Sequence, residues 1–120
     1  MKDKKVIVSF NNGSVPPQYA YRYEIIFSNH GTALLEVYKG FDIDEKNVFS
    51  ETKKINTLVF EQLVLGVINL KFTADKNLAI GGFQRSIELI NGKSEKFFIE
   101  NENLLAINLF NRFLYLYDLD

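Results

Sequence analysis

Cysteine is absent from this chain, and histidine occurs once, at His30. Without a thiol there is no disulfide, thiolate nucleophile, zinc ribbon or iron–sulfur cluster, a usage that suits a reducing compartment. Any His-paired nucleophile or multi-His metal site would depend on that one imidazole, which lies in what reads as a turn, so most hydrolase mechanisms drop out. An excess of one charge is also missing. Fourteen basic residues against fifteen acidic give a formal charge of -1, too little to attract a polyanion as nucleic-acid binders do. No stretch reaches the roughly 18 apolar residues of a membrane-spanning helix. The short apolar run Val6 to Phe10 behind the basic Met1–Lys5 is too brief for a signal-peptide core and has no small-residue cleavage site. The expectation is a cytoplasmic protein whose partners include neither nucleic acid nor membrane.

What is present suits one globular domain over residues 1–120. The composition, 47% hydrophobic and 24% charged, is that of a soluble folded chain, and no repeat, linker or low-complexity tract interrupts it. Val6, Val8 and Phe10 alternate with Ile7 and Ser9 as a short first strand, ending at the turn-forming Asn11-Asn12-Gly13-Ser14. Tyr19, Tyr21, Tyr23, Ile25 and Phe27 then recur at every second position, the strongest strand signal in the chain. Asn29-His30-Gly31 follows and Ala33, Leu35 and Val37 resume the alternation, which predicts a hairpin with a three-residue loop and Gly31 in the left-handed region. That register sets Phe27, Ile25 and Tyr23 against Ala33, Leu35 and Val37 on the core side. On the outer side it pairs Ile26 with Leu34, Glu24 with Glu36 and Arg22 with Tyr38.

Val48 to Ile55 alternates weakly, as an edge strand carrying Lys53 and Lys54 would. From Leu58 to Leu70 the period changes: Val59, Phe60, Leu63, Val64, Val67, Ile68 and Leu70 share one arc of a helical wheel, with Asn56 or Thr57 as cap. Phe83–Ile90 and Lys93–Ile99 read as a hairpin about Asn91-Gly92 in either of two registers. A strict two-residue turn sets Glu88 against Glu95, whereas a slip of one pairs Glu88 with Lys96 and Ile87 with Phe97. Asn103 to Leu119 closes the chain as an amphipathic helix with Ala106, Leu109, Phe110, Phe113, Leu116 and Tyr117 inward. The predicted fold is α+β: a two-layer sandwich, an antiparallel sheet of five to six strands with two helices on one face.

The short motifs carry no chemistry. Gly92-Lys93-Ser94 mimics the end of a phosphate-binding loop, but Ile87 stands where its first glycine belongs and a strand follows where a helix is needed. Asp42-x-Asp44-Glu45 begins like a calcium loop yet has Lys46 at the fifth position and no glycine at the sixth. Asn12-Gly13-Ser14 fits a glycosylation sequon, which matters only in a secreted chain. Hard cations want about six oxygens from one clustered loop, and the carboxylates here are dispersed, so neither metal nor cofactor is expected.

Eleven Phe and six Tyr exceed what a core of this size needs, and Tyr38, Tyr115 and Phe97 or Phe98 fall on faces assigned to solvent. Aromatic surplus marks interfaces more often than catalysis. The predicted contact surface is the outer face of the first hairpin: Arg22, Glu24, Ile26, Leu34, Glu36 and Tyr38. There Ile26 and Leu34 form an apolar centre rimmed by charge, Tyr38 is the anchor, and the carboxylates favour a partner with a basic surface.

The opening Gly13-Ser14-Val15-Pro16-Pro17-Gln18-Tyr19-Ala20-Tyr21, with Gly81-Gly82 before the second hairpin, resembles a group of small uncharacterised bacterial proteins that share a GS-x-PP-x-Y-x-Y start. In its order of elements the chain is also similar to emfourin-type protein inhibitors of metalloproteases, although their glycine-rich apolar opening is replaced by the Pro-Pro stretch, so no inhibitory residue carries over. The resemblance implies a bacterial binding domain. The leading expectation is therefore a non-enzymatic protein that caps another, as a protein inhibitor or toxin-neutralising immunity protein does, acting as monomer or homodimer. Two alternatives stand beside it: a small carboxylate-dependent enzyme drawing on Glu24, Glu36, Glu88 and Glu95, and a structural subunit pairing its exposed strand edge with a twin.

Overall fold

The computed structural model describes residues 4–11, 21–40, 45–69, 84–99 and 103–117. The chain runs β1 (Lys5–Asn11), β2 (Tyr21–Ser28), β3 (Thr32–Lys39), β4 (Lys46–Lys54), α1 (Thr57–Asn69), β5 (Gln84–Asn91), β6 (Lys93–Ile99) and α2 (Leu104–Tyr117). The six strands of the described residues form one antiparallel sheet in the order β4-β3-β2-β1-β5-β6, and the two described helices bury their apolar arcs in the same core beneath it. The expected α+β architecture is the observed one.

The first hairpin has the expected register at every pair, from Tyr23↔Val37 and Ile25↔Leu35 inside to Arg22↔Tyr38, Glu24↔Glu36 and Ile26↔Leu34 outside. Gly31 turns at φ 92, where a side chain would be strained. The turn is also tied to its neighbours. The Asn29 amide donates to the Lys4 carbonyl at 3.1 Å and the Ile55 amide to the Gly31 carbonyl at 3.0 Å, while His30 stays exposed at the tip.

In β4 the register slips between Val37 and Tyr38, a bulge closed by Asn47, whose side-chain amide donates to the carbonyls of Val37 and Phe49 at 3.2 Å each. Of the two registers open to the second hairpin, the molecule adopts Glu88↔Lys96 and Ile87↔Phe97, with Gly92 at φ 79 in the turn. This choice sends Phe97 into the core and Phe98 to the open face, and it replaces a like-charge pair with an opposite one.

One sheet face is the core. Val6 and Val8, Ile25 and Phe27, Ala33 and Leu35, Ile87 and Leu89, Phe97 and Ile99 are buried there with Phe60, Leu63, Val64 and Val67 of α1 and Ala106, Leu109, Phe110, Phe113 and Tyr117 of α2. The helical arc read from sequence is too wide in one respect: Val59 and Ile68 lie at its margins and are each 38% exposed. The two helices pack so closely that a methyl added at Gly66 would stand 3.0 Å from a Leu109 methyl. Leu70, Phe83 and Leu119, like Tyr19 and the Gly81-Gly82 pair, lie outside the described residues.

Asn56 is the cap of α1, its side-chain oxygen accepting from the amides of Leu58 at 2.9 Å and Val59 at 3.2 Å. Asn103 plays the same part for α2, accepting from Ala106 at 3.2 Å. Asn56→Ala is expected to cost about 1 kcal/mol, read as a lower urea midpoint at unchanged m-value; a midpoint equal to the parent's would show that α1 starts elsewhere.

Candidate contact surface

Both described helices lie on one side of the sheet, and among the described residues no helix lies on the other. Alternation along each strand sends Lys5, Ile7 and Ser9 of β1, Arg22, Glu24 and Ile26 of β2, Leu34, Glu36 and Tyr38 of β3, and Ser86, Glu88 and Ile90 of β5 to that side. All six residues predicted as the contact surface are therefore brought together. They are half-buried rather than fully exposed.

Strand order adds what periodicity alone could not. Because β1 lies beside β2, Ile7 stands opposite Ile26, and the row Leu34–Ile26–Ile7 continues the apolar centre across three strands. The next row holds Glu36, Glu24, Ser9 and Ser86, and in it the two serine hydroxyls share a hydrogen bond 2.5 Å long.

The Arg22 guanidinium is engaged by Glu45 through two hydrogen bonds, Nε at 2.8 Å and Nη2 at 2.9 Å, and also stands 3.9 Å from Glu24, where it offsets part of the charge that Glu24 brings beside Glu36. A planar fork is held best by a bidentate carboxylate. That hydrogen bonding to Glu45 is the main reason the Arg22 pKa is raised. The guanidinium also lies 3.9 Å above the centre of the Tyr38 ring, a cation–π contact that fixes the ring. Partial burial, then the charge of and a hydrogen bond to Glu36, push the Tyr38 hydroxyl up from its ordinary value. Tyr38 and Glu36 are thus pre-set by their neighbours, and Glu24 and Glu36 make the row beside the apolar centre acidic.

The other candidate carboxylates are not gathered there. Glu88 faces the same side but accepts a short hydrogen bond from the Ser94 hydroxyl and pairs across with Lys96. Glu95 stands opposite Leu89, on the opposite face of the sheet. Among the described residues no three His, Cys, Asp or Glu side chains gather to hold a metal. Of the acidic loop only Glu45 is described, and it serves Arg22.

Three of the four aromatics suspected of facing solvent now have definite places: Phe97 is core, Phe98 is half-buried on the open face, and Tyr38 is half-buried as above. The fourth, Tyr115, is exposed on the outside of α2. It belongs to a second apolar surface that the sequence reading missed, on the outside of the helix layer, whose signal was the lack of charge opposite the apolar arcs.

No protein-family model matches the chain, and no curated protein matches it. Among the described residues no helix is long and apolar enough to cross a membrane.

Proposed function

We propose that the chain is a non-enzymatic binding protein that caps another protein through its open sheet face, in the manner of a protein inhibitor or a toxin-neutralising immunity protein. One observation carries the reading: the apolar row Ile7–Ile26–Leu34 lies on the sheet face away from both described helices and is flanked by side chains already held in place, Arg22 by Glu45 and Tyr38 by Arg22. An apolar centre inside a polar rim is how interfaces are built, and a rim ordered in advance lowers the entropy lost on docking. The facing carboxylates Glu24 and Glu36 favour a partner with a basic surface, through faster encounter more than through tighter final binding. The lack of a thiol and the single exposed histidine support a role without catalysis and suit the cytoplasm, and the GS-x-PP-x-Y-x-Y likeness favours a bacterial source.

The test is capture of the partner from the native host, followed by a titration of the purified pair. Tyr38→Ala with Leu34→Ala is expected to weaken binding at least tenfold, about 1.4 kcal/mol, while the thermal midpoint falls only slightly. Undiminished binding would place the interface elsewhere, and loss of folding in the double variant would make this face part of the core.

A further inference from the structure

The outside of the helix layer is built unlike a solvated surface. On α1 the positions opposite the core are Leu58, Gln62, Leu65 and Asn69, and on α2 they are Leu104, Asn108, Asn111 and Tyr115. Each set follows the i, i+4, i+7, i+11 spacing that keeps side chains on one stripe of a helix. Leu58 is 76% exposed, Leu65 63%, Leu104 71%, Leu105 69% and Tyr115 68%. A water-facing stripe would normally carry charge, yet α1 holds only Glu61, which reaches Lys4 at 3.2 Å, and α2 only Arg112. The two helices meet where Gly66 approaches Leu109.

We infer that this charge-poor helix-pair surface is the interface of a homodimer, covered by the same surface of a second copy. Summed with Val59 and Ile68, these residues expose on the order of 700 Å², the scale of the ~800 Å² that each side of a stable interface buries. Two copies would bury about twice that, within the range of specific complexes. The absence of a block of one charge favours a twin over a charged stranger: Arg112 of α2 and Glu61 of α1 are the two charges the helices carry, and the amides of Gln62, Asn69, Asn108 and Asn111 can donate and accept in either copy. The surface lies on the opposite side of the molecule from the open sheet face, so this inference stands or falls separately from the proposed function.

The experiment is the solution mass of the full chain by sedimentation equilibrium from about 5 to 200 μM, with far-UV circular dichroism and a thermal melt on each sample. The parent is expected at the mass of two chains at the upper concentrations. Leu65→Lys with Leu104→Lys, at two largely exposed positions, is expected to sediment as one chain with the parent's helical spectrum. Leu34→Lys on the open sheet face is expected to leave the dimer intact. A parent that is monomeric throughout would overturn the inference. So would a dimer that survives both lysines, or one that Leu34→Lys dissolves instead. If the double lysine variant loses its spectrum, Tyr115→Gln alone replaces it, with the same two outcomes: a weaker dimer upholds the inference, and an unchanged one overturns it.

Discussion

Phe113→Ala is expected to lower the stability of the protein by about 3–5 kcal/mol, the range for emptying a buried phenylalanine site. Phe113 is wholly buried, and its ring lies 5.2 Å from that of Phe27, tilted at 47°, so the substitution removes both the transfer energy and an aromatic pair. The loss is a large share of the ~5–15 kcal/mol that holds a domain of this size together. Because Phe113 joins the second helix to the second strand, the urea midpoint should fall sharply. A midpoint within error of the parent's would mean that α2 is not seated on the sheet.

The central strand allows a comparison between neighbouring residues with opposite fates. Val8→Asp would place a carboxylate at a fully buried position between Ile25 and Ile87. The cost is on the order of 5 kcal/mol, since a buried charge without a partner is among the largest single-site penalties. That variant is expected to be unfolded or insoluble at room temperature. Ile7→Asp, one residue away on the open face, is expected to stay folded, losing about 1 kcal/mol while weakening attachment of a partner to the sheet. Circular dichroism and denaturant melts on the pair decide it. Equal losses in the two variants would mean that β1 does not divide core from surface as described.

Periodicity carried the first hairpin completely. Its alternation ran long enough, and the Asn29-His30-Gly31 turn was distinctive enough, that each pair from Tyr23↔Val37 to Ile26↔Leu34 could be written down beforehand. The second hairpin was legible only to within two registers, because Asn91-Gly92 is compatible with both turn lengths. What separates them is tertiary: only one puts Phe97 beside Ile87 in the core. Strand order was not legible, since nothing in an alternating pattern states which strand is its neighbour. Ile7 and Ser9 therefore joined the candidate surface only once β1 was seen between β2 and β5. The outward leucines of the helices went unread for a different reason: a wheel is judged by the face that fits the core, and Leu58, Leu65 and Leu104 stand on the face that such a judgement ignores. Engagement of Arg22 by Glu45 was hidden because the two residues are 23 positions apart.

The position of β1 also sets the timing of folding. Its inner edge pairs with β2, a near neighbour in sequence, but its other edge waits for β5, with Val8 opposite Ile87. At a synthesis rate of about 5–20 residues per second, roughly 4–16 s separate the making of those two residues on the ribosome. During that interval the meander β1–β2–β3–β4 can assemble from local pairs, while the far edge of β1 offers unpaired amides and carbonyls to any extended chain nearby. Closing the sheet then requires an encounter across most of the polypeptide, the kind of long-range pairing that slows folding most. β1 is thus completed only once β5 has been made, and a chain halted before β5 would carry an open edge where the finished sheet has its middle.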